Sequence, residues 1–513
     1  MTTTSVESHI MQGHVPVAGV RDGICLDGQW ELGAGPAFDV INPANGELVQ
    51  TIHQADAEQA ARAIAIADTA RRKPEWSAAL PHERAMVLHE IARGIDENAD
   101  WLARLQTANT GKTLSETTTL VASAARTFRY FAAAAESMDG QVTARRGPWQ
   151  TTTQYEPLGV IAAITPWNSP IASDAQKIAP ALAAGNAVVL KPAEWTPLVA
   201  MGLMQIIDDS SLPKGLCTIL PGKGSVIGDV ITSHPAVSKI AFTGGTATGR
   251  RIARAAADRF IPCTLELGGK SPNIVLADAD IDSAVAGVLF GIFSSSGQSC
   301  IAGSRLFVHR SLYREVVDRI VESAKTLTVG PGIDAHTKVG PLVHRRHRDE
   351  VDSWVQGARA EGGTVLCGGA APSGDRYDIG NYYLPTVIEG LPNSSQTCQQ
   401  EIFGPVLVCL PFDDEEDLVS QANDTVYGLA AGIWTRDYQV AARLADRINA
   451  GTIWVNTYKQ FSISTPFSGF KDSGLGVDKG RAGLAEYSQL KSVYWGLDHA
   501  PNAWANPDVA ESR

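Results

Sequence analysis

Three side chains have the chemistry of an acyl-transfer site: Cys300, Glu266 and Asn168. Cys300 ends the small polar run 294–299, Ser-Ser-Ser-Gly-Gln-Ser, a setting that presents a thiol rather than packing it. A thiol attacks a carbonyl carbon, a carboxylate moves protons, and an amide N–H stabilises the oxyanion that forms. Each residue also has an ordinary interpretation, as a buried apolar cysteine, a glutamate that caps or pairs, or an asparagine in a turn.

Two glycine-rich segments are candidates for holding phosphate. The segment 243–249, Thr-Gly-Gly-Thr-Ala-Thr-Gly, follows a predicted strand and opens a predicted helix, whose free N–H groups suit an anion. The alternative for this segment is a plain turn in which glycine supplies a positive φ angle. The segment 222–228 has the spacing G-x-G-x-x-x-G, which departs from the dinucleotide fingerprint and is the weaker signal.

A lysine and a glutamate follow a predicted strand at the edge where open α/β sheets bind ligands: Lys191 and Glu194. Lys191 can reach ribose hydroxyls. The Glu194 carboxylate can accept hydrogen bonds from an adenine-ribose diol and would repel a 2′-phosphate, so the pair favours NAD over NADP. Alternatively, these residues only mark the start of a helix, and the neighbouring prolines restrict the turn that leads into it.

Alternating strands and helices on both sides of the Cys300 segment predict an α/β fold with parallel sheets. We predict the strands 160–164, 187–190, 239–242, 306–309 and 452–455. We predict the helices 58–72, 83–106, 174–184, 197–208, 246–258, 313–326, 416–423 and 439–448. Residues 1–30 are predicted to be a loose lead-in, and the stretches 140–157 and 484–496 are predicted to pair as an added sheet.

The composition is that of a large enzyme, because 513 residues with 44% hydrophobic and 19% charged content allow two or three domains. A net charge of −12 argues against a nucleic-acid surface, and the basic run 344–348 is predicted to be a solvated helix start. Seven scattered cysteines without C-x-x-C spacing argue against disulfides and against a metal site. Without a signal core or a long apolar run, we expect a cytoplasmic protein that does not bind membranes.

Seven motifs occur in an order typical of one protein family. They are Asn168, Lys191-Pro-Ala-Glu194, Phe242-Thr-Gly244, Glu266-Leu-Gly-Gly269, Gly297-Gln-Ser-Cys300, Glu401-Ile-Phe-Gly-Pro405 and Pro466-Phe-Ser-Gly-Phe-Lys471. From about residue 41 to residue 494, the chain resembles the non-acylating NAD(P)-dependent aldehyde dehydrogenases. The resemblance implies NAD-dependent oxidation of an aldehyde to a carboxylic acid through a thiohemiacetal and a thioester on Cys300, with NADP possible but less favoured.

The resemblance also implies a domain organisation and an assembly. A Rossmann-like NAD-binding domain is expected over 14–137 and 158–267, and an α/β catalytic domain over 268–470. A small β oligomerisation element is expected over 138–157 and 480–497, followed by an irregular C-terminal tail over 498–513. The family assembles as homodimers or homotetramers.

Residue roles carry over by position. The resemblance implies that Cys300 is the nucleophile, that Glu266 is the general base, and that Asn168 and the Cys300 backbone N–H form the oxyanion hole. It implies cofactor contacts by Thr165, Trp167, Lys191, Glu194, Gly224, Gly228, Thr243, Gly244, Gly245, Gly249, Leu267, Glu401 and Phe403. Gly245 stands where many members carry serine, which leaves only a backbone contact to the pyrophosphate.

The substrate tunnel implied by the resemblance is polar. Its positions are Ser169, Ser173, Gln176, Ser294, Ser299, Ile301, Lys459, Phe461 and Phe467. Hydroxyl and amide groups reject purely apolar ligands, and Lys459 disfavours a cationic aldehyde, so we expect a polar or anionic aldehyde. An inward-pointing Asp174 would weaken or reverse that charge preference.

Several alternatives stay open. Within the same reaction class, they are a betaine-aldehyde-type enzyme and an aldehyde dehydrogenase of broad specificity. A CoA-dependent acylating dehydrogenase would not need Glu266. A cofactor-independent thiol esterase could use Cys300, Glu266 and Asn168 alone, and a non-catalytic scaffold would have no reason to keep the three together.

Overall fold

The computed structural model describes residue 15, residues 17–498 and residue 504. Its strands are β1 (Ile24–Leu26), β2 (Gln29–Glu31), β3 (Ala37–Ile41), β4 (Leu48–His53), β5 (Trp149–Pro157), β6 (Val160–Ile164), β7 (Ala187–Lys191), β8 (Cys217–Ile219), β9 (Val237–Thr243), β10 (Cys263–Glu266), β11 (Pro272–Val275), β12 (Arg305–His309), β13 (Thr364–Cys367), β14 (Thr386–Glu389), β15 (Val406–Phe412), β16 (Tyr427–Gly428), β17 (Ala430–Trp434), β18 (Thr452–Val455), β19 (Phe470–Lys471), β20 (Gly474–Leu475) and β21 (Ser488–Gly496).

The helices connect these strands and cover the two larger sheets. They are α1 (Ala57–Ala70), α2 (Pro74–Ser77), α3 (Pro81–Glu97), α4 (Ala99–Thr110), α5 (Leu114–Glu136), α6 (Pro170–Ala183), α7 (Leu198–Asp208), α8 (Asp229–Ser233), α9 (Thr246–Ala257), α10 (Ile281–Phe293), α11 (Tyr313–Thr326), α12 (Arg345–Ala360), α13 (Gln396–Gln399), α14 (Glu415–Asn423), α15 (Tyr438–Arg447) and α16 (Gly480–Ala485). A π-helical turn covers Gly224–Gly228 and a 3₁₀ turn covers Ser294–Gly297. None of these helices is long and apolar enough to cross a membrane.

The first sheet has the strand order β20-β10-β9-β6-β7-β8. Its strands run parallel apart from β20, which pairs antiparallel with β10. All five residues of β7 and four of the five in β6 are buried, as expected for strands covered by helices on both faces. The chain passes from β6 through β7 to β8 and then returns to the other side of β6. The order therefore reverses between β6 and β9, where open α/β sheets bind ligands.

The second sheet has the order β13-β14-β15-β12-β11-β17-β18 and is parallel apart from its edge strand β13. Its strands pack on two apolar clusters drawn mainly from residues 274–458. A separate apolar cluster, drawn mainly from residues 20–267, covers the first sheet. The α/β fold predicted from the sequence is confirmed.

A two-stranded ribbon joins distant parts of the chain. β5 pairs antiparallel with β21 over nine residues, from Trp149 opposite Gly496 to Pro157 opposite Ser488. The predicted pairing of 140–157 with 484–496 is therefore confirmed. The ribbon exposes large apolar side chains, among them Leu490 (61% exposed), Tyr494 (70%) and Trp495 (56%).

The predicted strands and most predicted helices are found with bounds shifted by a few residues, and two predictions are wrong. The single helix over 83–106 is divided, because Asn98 leaves the helical conformation (φ −107°, ψ 16°) and its side chain hydrogen-bonds the Gly94 carbonyl. The lead-in over 1–30 contains a hairpin, since β1 and β2 pair and bury Ile24, Cys25 and Leu26. The predicted irregular tail lies outside the described residues apart from 498 and 504.

Candidate active site

Four neighbouring strands of the first sheet deliver the predicted functional residues to one edge. β10 ends at Glu266, β9 ends at Thr243, β6 ends just before Thr165, and β7 ends at Lys191. Parallel strands have their carboxyl ends at the same edge, so residues separated by a hundred positions become neighbours. Asn168 follows β6 and lies immediately before α6.

The thiol is presented by a turn in the left-handed conformation. Ser295, Ser296 and Gly297 have φ angles of 57°, 55° and 71°, a run that side chains disfavour. At Gly297 a side chain would overlap the Gly404 carbonyl, so glycine is required there. Cys300 follows this turn on the loop that leads into β12.

Asn168 is bound to the same loop. Its Nδ2 atom donates a hydrogen bond to the backbone carbonyl of Gln298 at 3.0 Å. A side-chain amide has two N–H groups, so this bond orients the amide and leaves its second N–H for another acceptor. The geometry suits a donor to an oxyanion formed at Cys300.

Glu266 is buried and electrostatically perturbed. Neither carboxyl oxygen has a hydrogen-bond partner among the described residues. Burial raises the pKa of Glu266 well above its usual range, the Asp478 carboxylate raises it further, and Lys177 and Lys479 lower it. Asp478 is itself paired with Lys177 at 2.6 Å in a buried ion pair. A carboxylate with a raised pKa and oxygens free of hydrogen bonds accepts a proton more readily than an exposed carboxylate does.

The environment of the thiol disfavours its thiolate form. Burial, followed by the nearby carboxyl groups of Glu401 and Glu266, raises the pKa of Cys300 to about 12, against opposing effects of Lys459 and Lys479. A thiolate is the nucleophilic form, so Cys300 must transfer its proton before or during attack. Glu266 is one of the two carboxyl groups that act on this thiol.

A cavity of about 560 Å³ connects the thiol with the glycine segments. Residues predicted to contact the cofactor or to act in catalysis line it: Thr165, Trp167, Asn168, Lys191, Gly224, Gly228, Thr243, Gly244, Gly245, Glu266, Leu267, Cys300, Glu401 and Phe403. Glu194 and Gly249 are not in its wall. Gly249 instead packs against the Leu267 side chain, and Glu194 accepts a hydrogen bond from the Gly224 N–H at 2.7 Å.

The cavity has the features of a dinucleotide site. α9 begins at Thr246 with no side chain capping its N-terminus, and Gly245 before it has open space where a side chain would stand. N–H groups at such a helix end attract phosphate. Glu401 also lines the cavity: the Gly269 N–H donates to one of its oxygens at 3.0 Å, which leaves the second oxygen for a ligand hydroxyl. The residues present fit NAD.

Some cavity residues were missed by the sequence analysis. Thr248, Arg251, Ile252 and Ala255 line the cavity from α9, and their spacing of three to four residues on one helix face was an available signal. His347 also lines it: it packs against Trp167 at 5.2 Å between ring centroids, and its Nε2 lies 2.9 Å from the Phe403 carbonyl.

The prediction that the run 344–348 is a solvated helix start is therefore only half right. The helix begins at Arg345 with His344 as its N-cap, as predicted, but His347 is buried. His344 stacks on Trp195 with ring centroids 4.9 Å apart. His347 therefore supports Trp167 and Phe403 in the cavity wall, whereas His344 packs on Trp195 outside that wall.

The predicted tunnel residues lie outside the walls of this cavity. Ser169, Ser173 and Gln176 fall on one face of the start of α6 and are half-buried, with Ser299 half-buried and Ile301 buried beside Cys300. Lys459 has a φ of 56°, and its ammonium donates to the Ser294 hydroxyl at 2.8 Å. Phe461 and Phe467 pack edge to face, with ring centroids 5.6 Å apart.

Asp174 does not join the cavity. Its side chain is fully buried, burial raises the pKa of its carboxyl to about 7, and the hydroxyl of Thr165 partly offsets that rise. Its charge also acts on the buried thiol of Cys217 in the first sheet. The position of Asp174 therefore gives no support for a reversal of the expected preference for anionic substrates.

Comparison with known proteins agrees with this geometry. The model of the aldehyde dehydrogenase family matches residues 30–493. The betaine aldehyde dehydrogenases of Brucella anthropi and Bacillus subtilis are 40% and 37% identical, over 90% and 94% of this chain and 94% and 99% of their own lengths. The crystal structure of a Staphylococcus aureus betaine aldehyde dehydrogenase with NAD+ superposes with a TM-score of 0.93 at 36% identity, covering 94% of this chain and 97% of that one.

The chain belongs to the aldehyde dehydrogenase family. The prediction of an oxidoreductase that acts on the aldehyde group is therefore confirmed.

Replacing Glu266 separates two proton-transfer roles. If Glu266 acts on the water that hydrolyses a thioester, Glu266→Gln should still release a first equivalent of NADH in stopped-flow absorbance at 340 nm. Its steady-state rate should fall by about 10²-fold or more. Glu322→Gln, an exposed change on α11, is the control and should behave as the wild type. Loss of the first equivalent together with the steady-state rate would contradict this role and place Glu266 at the thiol.

Proposed function

We propose that this enzyme oxidises a polar or anionic aldehyde to a carboxylic acid with NAD, through a thiohemiacetal and a thioester on Cys300. One observation carries the proposal. A single cavity is lined both by Cys300, Asn168 and Glu266 and by Gly244 and Gly245 before α9. A thiol esterase would need only the first of these two groups.

The first step is attack of the Cys300 sulfur on the aldehyde carbon. The thiol gives up its proton and the carbonyl oxygen becomes an oxyanion. The free N–H of Asn168 and the backbone N–H of Cys300 stabilise that oxyanion, and each such donor contributes about 2.7–4 kcal/mol in comparable sites. When bound, NAD supplies the hydride acceptor that turns the thiohemiacetal into a thioester.

The second step is hydrolysis. Glu266 takes a proton from water as the water oxygen attacks the thioester carbon, and the carbon–sulfur bond breaks to release the carboxylic acid and the Cys300 thiol. The buried position of Glu266 raises its pKa, which makes it a stronger base than an exposed carboxylate. The buried Lys177–Asp478 pair sets the charge around that base.

Cofactor preference is proposed to follow from Glu194. Its hydrogen bond from the Gly224 N–H holds the carboxylate beside the turn Gly224–Gly228, which lines the cavity. The neighbouring Lys191 is buried and hydrogen-bonds the Pro192 carbonyl at 3.1 Å, and burial lowers the pKa of its ammonium to about 8. A carboxylate fixed here would repel the 2′-phosphate of NADP.

The ratio of kcat/KM for NAD to that for NADP should exceed about tenfold, or about 1.4 kcal/mol. Glu194→Gln keeps the size of the side chain and an oxygen for the Gly224 N–H but removes the charge, so the ratio should fall toward unity through a lower KM for NADP. Asp209→Asn, an exposed change near the same sheet, should leave the ratio as it is. Equal kcat/KM values of the wild type for NAD and NADP would contradict this role of Glu194.

Cys300→Ala tests the reaction itself. The variant should form no NADH with a panel of small aldehydes while it still binds NAD by titration calorimetry. Cys367→Ala, on the edge strand β13, is the matched cysteine control and should retain activity. Hydrolysis of p-nitrophenyl acetate by the wild type, without NADH formation from any aldehyde, would replace the proposal with a thiol esterase.

We also propose that the predicted domain boundaries hold and that the β5–β21 ribbon carries the contact between copies in a homodimer or homotetramer. Leu490 and Tyr494 support this, because they fall on the same face of β21, with the exposed Tyr155 paired opposite Leu490, and exposed apolar surface of this kind marks an interaction site. Tyr494→Asp should lower the molar mass measured by light scattering after size exclusion. A monomeric wild type would contradict the proposal.

A further inference from the structure

A second lysine, absent from the sequence predictions, stands between the catalytic groups and the tunnel aromatics. Lys479 precedes α16 and has φ 62° and ψ 171°, a backbone conformation that residues with side chains rarely adopt. Hydrogen bonds of 2.8 Å run in both directions between Asp478 and Phe467, and the Gly480 N–H donates to the Ile463 carbonyl at 2.9 Å. The surrounding chain thus holds Lys479 in this conformation.

The Lys479 ammonium lies on two aromatic rings. It is 4.0 Å from the ring centroid of Phe461 and 5.0 Å from that of Phe467. These are the two aromatic residues of the predicted substrate tunnel. The ammonium also acts electrostatically on Cys300 and on Glu266, and lowers the pKa of both.

The charge of Lys479 is not neutralised by a direct partner. Over residues 17–498, no carboxylate oxygen forms an ion pair with its ammonium, although several other lysines have one. The carboxyl groups of Asp478 and Glu266 are near Lys479, but neither is a direct partner of its ammonium. Asp478 is bound to Lys177 at 2.6 Å, and neither oxygen of Glu266 forms a hydrogen bond with the Lys479 ammonium.

We propose that Lys479 binds a carboxylate on the substrate, so that the preferred substrates are aldehydes that carry a second, anionic carboxylate group. The inference rests on the proposed function, because it requires the aldehyde carbon to reach Cys300. The Lys479 ammonium is half-buried on aromatic faces, lies near the nucleophile and has no anionic partner. An anionic group on the substrate would supply that partner.

The same contacts disfavour a cationic substrate. Aromatic faces are the surfaces that hold a trimethylammonium group. Here the faces of Phe461 and Phe467 are already in contact with the protein's own ammonium. A quaternary ammonium aldehyde would have to displace Lys479 and would be repelled by it, although betaine aldehyde dehydrogenases are among the relatives of this chain.

Lys459 is the less suitable of the two cations. It is hydrogen-bonded to Ser294 at 2.8 Å, and its ammonium lies 5.9 Å from the Phe290 ring centroid. Burial lowers the pKa of both ammonium groups, to about 7 for Lys459, so the difference between them lies in their contacts. Lys479 has no corresponding hydrogen bond within residues 17–498, so its ammonium is the more available to a ligand.

The test compares two aldehydes of equal chain length, 4-oxobutanoate and butanal, and adds betaine aldehyde. The wild type should have the higher kcat/KM for 4-oxobutanoate. Lys479→Met should reduce the ratio of 4-oxobutanoate to butanal by about tenfold or more, mainly through KM, and should raise kcat/KM for betaine aldehyde. Lys479→Arg should keep most of the ratio. Lys325→Met, an exposed substitution on α11, is the control and should leave kcat/KM for each aldehyde unchanged.

A second measurement avoids variants altogether: succinate should inhibit butanal oxidation by the wild type competitively, and n-butanol at the same concentration should not. A wild type that prefers butanal, a ratio unchanged in Lys479→Met, or equal inhibition by the two compounds would each overturn the role of Lys479. If no aldehyde yields NADH, the proposed function itself fails. If butanal is oxidised without preference for 4-oxobutanoate, only the role of Lys479 fails.

Discussion

The active site depends on a left-handed turn that the rest of the fold must hold in place. Ser295 and Ser296 adopt a conformation that costs roughly 1–2 kcal/mol for each residue with a side chain. Glu116, near the start of α5, accepts a hydrogen bond from the Ser295 N–H at 2.6 Å, and the Ser296 hydroxyl donates to the Gly340 carbonyl at 2.8 Å. These bonds offset the strain and connect the thiol loop to both halves of the molecule.

Buried charge is the second constraint. The site places Glu266, Asp478, Lys177 and Lys479 in one buried region, where burial raises the pKa of Glu266 and lowers that of Lys479, and neighbouring charges modify both shifts. Only Lys177 and Asp478 are directly paired. The unpaired members are the ones with proposed roles toward ligands: Glu266 toward water and Lys479 toward a carboxylate. Burying an uncompensated charge is costly, so its presence beside a nucleophile indicates function rather than stability.

Much of this arrangement could be predicted from the sequence, because local patterns carry it. The apolar runs of β6 and β7 and the alternation with helices indicated a parallel sheet, and a parallel sheet brings Asn168, Lys191 and Glu266 to one edge. The other site residues are recognisable from the family motifs that contain them. Lys479 could not be found in this way, since its importance depends on backbone bonds between Asp478 and Phe467 that no local pattern predicts. The break at Asn98 was missed because alanine-rich periodicity continues through it.

The proposed reaction requires Cys300 to carry the acyl group. The direct measurement is the intact mass of Glu266→Gln after mixing with NAD and butanal, followed by peptide mapping. We expect a mass increase of one butanoyl group, located on the peptide that contains Cys300 and absent when NAD is omitted. NADH formation with Cys300 unmodified, or with the acyl group on another residue, would contradict it.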